Sequence, residues 1–194
     1  SGKYDDLIKS SKEALEAAIR TVRVGATLGE IGRAIQDVMD SYGVQSVRNL
    51  TGHGIEPFVI HAKPSVPNFD TKDKRTLTGD QVIAIEPFST NGSGMVAETE
   101  SANIFAVQND KAVRSPFGRE ILGFVKKEYG ALPFCSRWLV AKFGAGKTNF
   151  ALNELLKNGI LHAHPPLIER TGGMIAVFEK TLYVGDTVEV LTKV

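Results

Sequence analysis

Two strand-like apolar runs in this chain each contain a glutamate. Glu86 lies in Val82-Ile-Ala-Ile-Glu-Pro-Phe88, and Glu179 lies in Met174-Ile-Ala-Val-Phe-Glu-Lys-Thr181. Runs of this kind usually form core, where an ionised carboxylate costs several kcal/mol unless it is paired or coordinates a cation. Either glutamate taken alone could simply pair with a lysine or arginine. Two such glutamates, together with a histidine on a third strand-like segment, are harder to explain in that way.

The strand alternation predicts which residues share a face with each glutamate. Around Glu86 these are Val82, Ala84 and Phe88, and around Glu179 they are Ile175, Val177, Thr181 and Tyr183. Pro87 keeps the residue before it extended and removes one backbone donor, which predicts a strand end or an edge at Glu86.

A histidine between two glycines, His53 in Asn49-Leu-Thr-Gly-His-Gly-Ile55, completes a candidate ligand set. The glycines allow close approach by other groups. His61 follows eight residues later, and a straight strand would separate the two histidines by about 26 Å. A shared site therefore requires a bend, which Gly54 and Pro57 make plausible. Imidazole with carboxylates suits manganese, iron, cobalt or zinc.

The order of predicted elements is helices, sheet, a helical block, then sheet again. Two amphipathic helices occupy roughly the first 43 residues, the second opened by the capping-box pattern Thr27-Leu-Gly-Glu30 and stopped at Gly43. Strand and turn signals follow to about Val107. We expect an α+β domain made of residues 1–107 and 173–194, with a helical insertion over residues 108–172.

Composition excludes several classes of function. The chain has 194 residues, 42% of them hydrophobic and 23% charged, with a net charge of +1, which argues against a general nucleic-acid or membrane-surface binder. No apolar run approaches the length of a membrane span. Cys135 is the only cysteine, so we expect a reducing, cytoplasmic setting.

Two motifs in the helical block suggest other functions. Gly144-Ala-Gly-Lys-Thr148 resembles a phosphate loop, but the first glycine position is Ala141 and the preceding segment has helical periodicity, so we reject nucleotide binding. Three helices before a hairpin also resemble a winged-helix DNA binder. The basic surplus is spread over all three helices, which favours a packing or substrate-wall insertion and no DNA partner.

Taken together, these segments resemble a methionine aminopeptidase. The resemblance runs through Asn49–Ile55, Ile60–Ala62, Val82–Phe88, Tyr129–Phe134, Arg137–Leu139 and Phe178–Thr181, and it covers essentially the whole chain. The helical insertion between the two glutamate strands resembles the type II branch, found in archaea and eukaryotes.

The resemblance implies a pita-bread fold and a site for two divalent ions (Co, Mn, Fe or Zn). It implies that His53, Glu86 and Glu179 are metal ligands, with Glu179 bridging the two ions. His61 and Glu86 would be catalytic, with Glu86 handling the proton. The residues expected at a peptide substrate with N-terminal methionine are Ile60, His61 and His164.

The chain also departs from the family pattern. The two aspartate ligands of the family lie on strands before the first helix, so we expect a C-terminal portion that supplies three of five ligands. It would pair with the missing N-terminal half or self-associate. Lys180, Val177 and His164 replace the histidine, glutamine and tyrosine that are usual at these positions. The alternatives are a noncatalytic pita-bread protein that binds RNA or protein, and a related peptidase such as a prolidase.

Overall fold

A computed structural model describes residues 2–192 of the chain, which form two compact units. One unit comprises the chain up to Ala97 and again from Ile168, and the other comprises Glu98–Leu167. The chain leaves the first unit within the short strand β6 (Val96–Glu98) and returns to it within β10 (Leu167–Glu169). The assignment of residues 1–107, 108–172 and 173–194 to separate functional parts stays a prediction.

Two helices cover one side of the first unit. They are α1 (Asp5–Thr21) and α2 (Leu28–Ser41). The predicted capping box is confirmed, because Thr27 Oγ1 accepts the Glu30 N–H while the Glu30 carboxylate accepts the Thr27 N–H. Gly43, in the left-handed conformation at φ 65°, follows the end of α2 as predicted.

The main sheet has five antiparallel strands in the order β13-β12-β4-β2-β3. Their bounds are β2 (Thr51–Glu56), β3 (Val59–Pro67), β4 (Gln81–Ile85), β12 (Lys180–Val184) and β13 (Val188–Val190). One face buries Ile83, Ile85, Leu182 and Val184 in a core shared with α1 and α2. The other face carries the alternate residues, among them His53, Ala84 and Thr181, which lie opposite one another in register.

Both glutamate runs form interrupted strands. In the first run β4 ends at Ile85, and β5 (Phe88–Thr90) begins after Glu86-Pro87. Likewise β11 (Ile175–Val177) is separated from β12 by Phe178 and Glu179. β5 and β11 form a three-stranded antiparallel sheet with β1 (Gln45–Ser46). The prediction of a strand end at Pro87 is therefore confirmed.

The second unit is built on three helices and a small sheet. The helices are α3 (Pro116–Glu128), α4 (Ser136–Phe143) and α5 (Ala145–Lys157), and the sheet order is β8-β7-β9, with β7 (Ile104–Val107), β8 (Phe134–Cys135) and β9 (Leu161–His164). These elements enclose their own apolar core. Gly144, at φ 80°, separates α4 from α5, so the rejected phosphate loop is a junction between two helices. Among residues 2–192, no helix is long and apolar enough to cross a membrane.

Candidate metal centre

His53 lies in the middle of β2, where its glycine neighbours have a steric role. A Cβ on Gly52 would lie 2.3 Å from the Ala84 carbonyl oxygen, and one on Gly54 would lie 2.1 Å from the Lys63 carbonyl oxygen. Neither contact is tolerable, so only glycine permits β4 and β3 to approach β2 this closely. The sequence expectation of close approach at these glycines is confirmed.

Glu86 and Glu179 lie opposite each other across the interruption of the two strands. Lys180 pairs with Ile85 on one side of the gap and Val177 pairs with Phe88 on the other, in the same register. If this register is extended into the gap from either side, Glu179 lies opposite Glu86. Strand alternation then puts both on the face that carries His53, which is the face opposite the helices.

The side chains of His53 and Glu86 are within hydrogen-bonding distance of each other. His53 Nδ1 lies 2.9 Å from the Gly54 carbonyl oxygen, and His53 Nε2 lies 3.0 Å from Glu86 Oε1. A carbonyl oxygen only accepts, so Nδ1 carries a hydrogen; the second contact then needs a proton on Nε2 or on the carboxyl group. Both side chains are largely buried, at 13% and 15% exposed. A cation could take the place of that proton, so these donors fit a metal ion.

The surroundings raise the pKa of Glu86. The largest cause is burial, which disfavours the carboxylate, and the Glu179 charge acts in the same direction while His53 opposes both. The electrostatic effect of Glu179 indicates that the two carboxyl groups are neighbours. Two acidic groups and an imidazole on one face are a donor set for a divalent cation.

His61 reaches His53 because the chain reverses at Pro57-Phe58, where Phe58 has φ 62°. β2 and β3 pair antiparallel, with register shifts on both sides of Gly54. The His53 and His61 rings meet edge to face with centroids 4.6 Å apart. Partial burial, and secondarily the His53 charge, lower the pKa of His61. The predicted bend is present, and its tip lies at Phe58, next to the predicted Pro57.

The burial expected for Glu179 is wrong. Glu179 is exposed, whereas Glu86 is largely buried, although both lie at the gap on the face that the helices do not cover. Of the described side chains, no three His, Cys, Asp or Glu residues converge on one point that could hold an ion. The four side chains lie near one another but do not converge on one position; they are His53, His61, Glu86 and Glu179.

Ile60 and His164 are the other two residues predicted to contact substrate. Ile60 is exposed on β3 at 38%. His164 ends β9 in the second unit and lines an open, mostly apolar pocket of about 640 Å³ together with Ile104, Trp138 and Pro165.

One polar residue beside the glutamates was missed by the sequence analysis. Ser11 of α1 is fully buried; its hydroxyl donates to the Pro87 carbonyl and accepts the Phe178 N–H. The available signal was a serine within the apolar stripe of α1, which also contains Leu7, Ala14 and Leu15. Helical periodicity alone predicts that such a serine is buried but gives it no further role.

Known proteins resemble this chain in sequence and in structure. A methionine aminopeptidase of Archaeoglobus fulgidus is 42% identical over 185 residues, 95% of this chain and 62% of the relative. The chain thus spans about three fifths of that relative. A thermophilic Arx1 shares the fold with TM-score 0.79 and 16% identity, over 95% of this chain and 56% of that one.

A solved methionine aminopeptidase from Rickettsia prowazekii superposes with TM-score 0.61 and 22% identity, over 100% of this chain and 54% of that one. These structural likenesses and the family comparison confirm the predicted α+β pita-bread fold. The sequence model of metallopeptidase family M24 matches residues 1–115, and the chain belongs to that family.

Proposed function

We propose that this chain is part of a type II methionine aminopeptidase, which hydrolyses the peptide bond after an N-terminal methionine. The observation that carries the proposal is the His53–Glu86 contact of 3.0 Å, with Glu179 opposite Glu86 on the same sheet face. Family membership and an archaeal relative of that name support it. Retention of all three candidate ligands argues against the noncatalytic alternative.

His53, Glu86 and Glu179 would hold the divalent ions, for which cobalt, manganese, iron and zinc are the candidates. When bound, such ions supply Lewis acidity toward the scissile carbonyl and toward water. The proposed full site takes two ions and five ligands. The chain spans 62% of its archaeal relative, so we assign the remaining ligands to protein outside this sequence, either a missing N-terminal half or a second copy.

Glu86 and His61 would handle protons and substrate. Burial raises the pKa of Glu86, so its ionised carboxylate would be a stronger base than an exposed one and could accept a proton beside the reacting group. The lowered pKa of His61 keeps its ring neutral near pH 7, which suits a hydrogen bond to the substrate amide. Ile60 and His164 would contact the methionine side of the peptide. The single Cys135 suits a reducing cytoplasm.

Metal titration tests the proposed ligands directly. We expect this chain to bind Mn²⁺, with binding lost in His53→Ala and Glu86→Ala. Glu56→Gln is the matched control, because Glu56 ends the same strand β2 but is exposed. Binding that is equal in all four proteins would overturn the ligand assignment.

Peptide cleavage tests the reaction. This chain with Mn²⁺ should cleave a Met-Gly peptide poorly by itself. Activity should rise when the part of the Archaeoglobus fulgidus relative outside the matched region is supplied as a second polypeptide. Full turnover by this chain alone would contradict the proposed division of ligands, and no cleavage of any Met-peptide by the pair would contradict the proposed enzyme.

A further inference from the structure

The hydroxyl of Ser11 joins the two interrupted strands at the candidate metal centre. Ser11 is fully buried in α1. Its Oγ donates to the Pro87 carbonyl oxygen at 2.7 Å and accepts the Phe178 N–H at 2.9 Å. A single side chain from a helix therefore connects the backbones of β4–β5 and β11–β12 at the gap between them.

The serine bridge replaces direct pairing between the strands at a position where Pro87, which has no N–H, cannot donate a hydrogen bond. Phe178 lies opposite Pro87 in the register that pairs Val177 with Phe88. The Asn91 N–H donates to the Met174 carbonyl further along the same ladder, so every second pair from there, including Pro87 with Phe178, should exchange two hydrogen bonds. Proline can make only one of the two. The serine hydroxyl provides an acceptor and a donor between the strands instead.

The bridge is adjacent to both carboxylates. Glu86 precedes Pro87, and Glu179 follows Phe178. If the register continued through the gap, Glu86 and Glu179 would form the neighbouring non-hydrogen-bonded pair, the type in which facing Cα atoms lie only about 4.5 Å apart in a regular ladder. A hydroxyl inserted at the next pair holds the two backbones at a distance that direct pairing would not give.

We propose that Ser11 is a positioning residue for the metal centre, which sets the separation of Glu86 and Glu179. The inference rests on the proposed metal-binding function. Ser11 touches neither carboxylate and acts through the Pro87 and Phe178 peptide groups. Substitutions of residues that orient metal ligands weaken affinity by about 10- to 100-fold, and we expect Ser11→Ala to fall in that range.

Ser10 provides a matched control. It is the same residue type in the same helix and is also fully buried. Its hydroxyl donates to the Leu7 carbonyl within α1, so its hydrogen bond goes to neither interrupted strand. Ser10→Ala removes a buried hydroxyl without affecting the bridge. A merely structural role for Ser11 predicts that the two alanine variants behave alike.

The experiment compares Mn²⁺ affinity and the visible absorption spectrum of bound Co²⁺ in the unsubstituted chain, Ser11→Ala and Ser10→Ala. We expect at least about tenfold weaker Mn²⁺ binding and a changed Co²⁺ spectrum in Ser11→Ala only. In the metal-free protein, exchange of the Phe178 amide should accelerate in the same variant. Ser11→Cys, whose thiol is a weak donor, should show a smaller loss and serves if Ser11→Ala does not fold.

The outcomes separate the two proposals. Equal affinity and an unchanged Co²⁺ spectrum in Ser11→Ala overturn the positioning role while leaving the metal site intact. Equal losses in Ser10→Ala and Ser11→Ala also overturn it. Absence of metal binding by the unsubstituted chain overturns the proposed function, and the positioning role with it.

Discussion

Glu86 and Glu169 are carboxylates of the same unit, and their surroundings shift the pKa in opposite directions. Glu169, only 5% exposed, accepts hydrogen bonds from the backbone N–H and hydroxyl of both Ser93 and Thr171 and from the Gly173 N–H. The Ser93 hydroxyl is the largest cause of its lowered pKa. Glu86 has one partner, His53, and burial raises its pKa.

The difference separates a structural carboxylate from one available to a ligand. Five donors satisfy both oxygens of Glu169 and tie the turn after β5 to the turn after β10, so nothing further is needed for stability. Glu86 is desolvated with a single partner and a like charge nearby, and a cation would compensate for this.

Glu169→Gln should destabilise the fold most. Ser93 donates to one oxygen and Thr171 and Gly173 donate to the other, so the amide nitrogen of glutamine faces donors in either orientation. We expect the melting temperature to fall by roughly 5 °C in calorimetry. Glu189→Gln, at an exposed position of β13, is the control and should melt like the unsubstituted chain. Equal melting temperatures for the two variants would contradict a structural role for the Glu169 carboxylate.

The contribution of the Glu169 carboxylate to the stability of the fold should be lost at acidic pH. Its pKa is lowered in the folded state, so its stabilisation is complete above the unfolded value of about 4.3 and is lost as the pH falls through the folded value. The difference in melting temperature between the unsubstituted chain and Glu169→Gln should stay constant from pH 8 to 5 and narrow below about pH 4. A difference that persists undiminished at pH 3 would mean that the charge is unimportant.

In chelator-treated protein, Glu86→Gln should raise the melting temperature, whereas Glu169→Gln should lower it. The raised pKa means that the carboxylate destabilises the fold progressively as pH rises above about 4.3. The glutamine amide can still donate to a neutral His53 Nε2. At pH 8 we expect the melting temperature to rise by roughly 2 °C while Mn²⁺ binding is lost. A lower melting temperature would show that the His53 contact outweighs burial.

Thr148→Val should give the smallest change in melting temperature. It tests the cost of burying a polar group that carries no charge. Thr148 in α5 is fully buried, and its hydroxyl has no hydrogen-bond partner among the described residues. Valine has the same shape and leaves no polar group to desolvate. We expect a rise of about 1–2 °C in melting temperature, measured against Thr187→Val at an exposed turn. A decrease would indicate that the hydroxyl has a partner in solution.

Local signals in the sequence predicted much of this architecture. The Thr27–Glu30 box, Gly43 and Pro87 act through neighbouring backbone groups, so their effects are readable from a few residues. Glu86 was conspicuous for the same reason, as a charge inside an apolar run. The glycines beside His53 were correctly taken as sites of close approach, although the approaching strands were not identified.

Non-local pairing explains what the sequence did not reveal. That Glu179 faces Glu86 depends on a register fixed by strands about ninety positions apart. Glu169 was overlooked because it follows Pro165-Pro166 in a segment without periodicity, and its donors come from two separate turns. No local pattern encodes such an arrangement.

The register of β4 against β12 also has a consequence for folding fidelity. The side-chain period of a strand is two, so a slip by one residue would turn Glu86 toward the helices and Ile83 and Ile85 toward solvent. The core and the ligand face are thus specified by one alignment, and a misaligned molecule loses both. Binding of Mn²⁺ by the proposed ligands would therefore also be a measure of correct strand alignment.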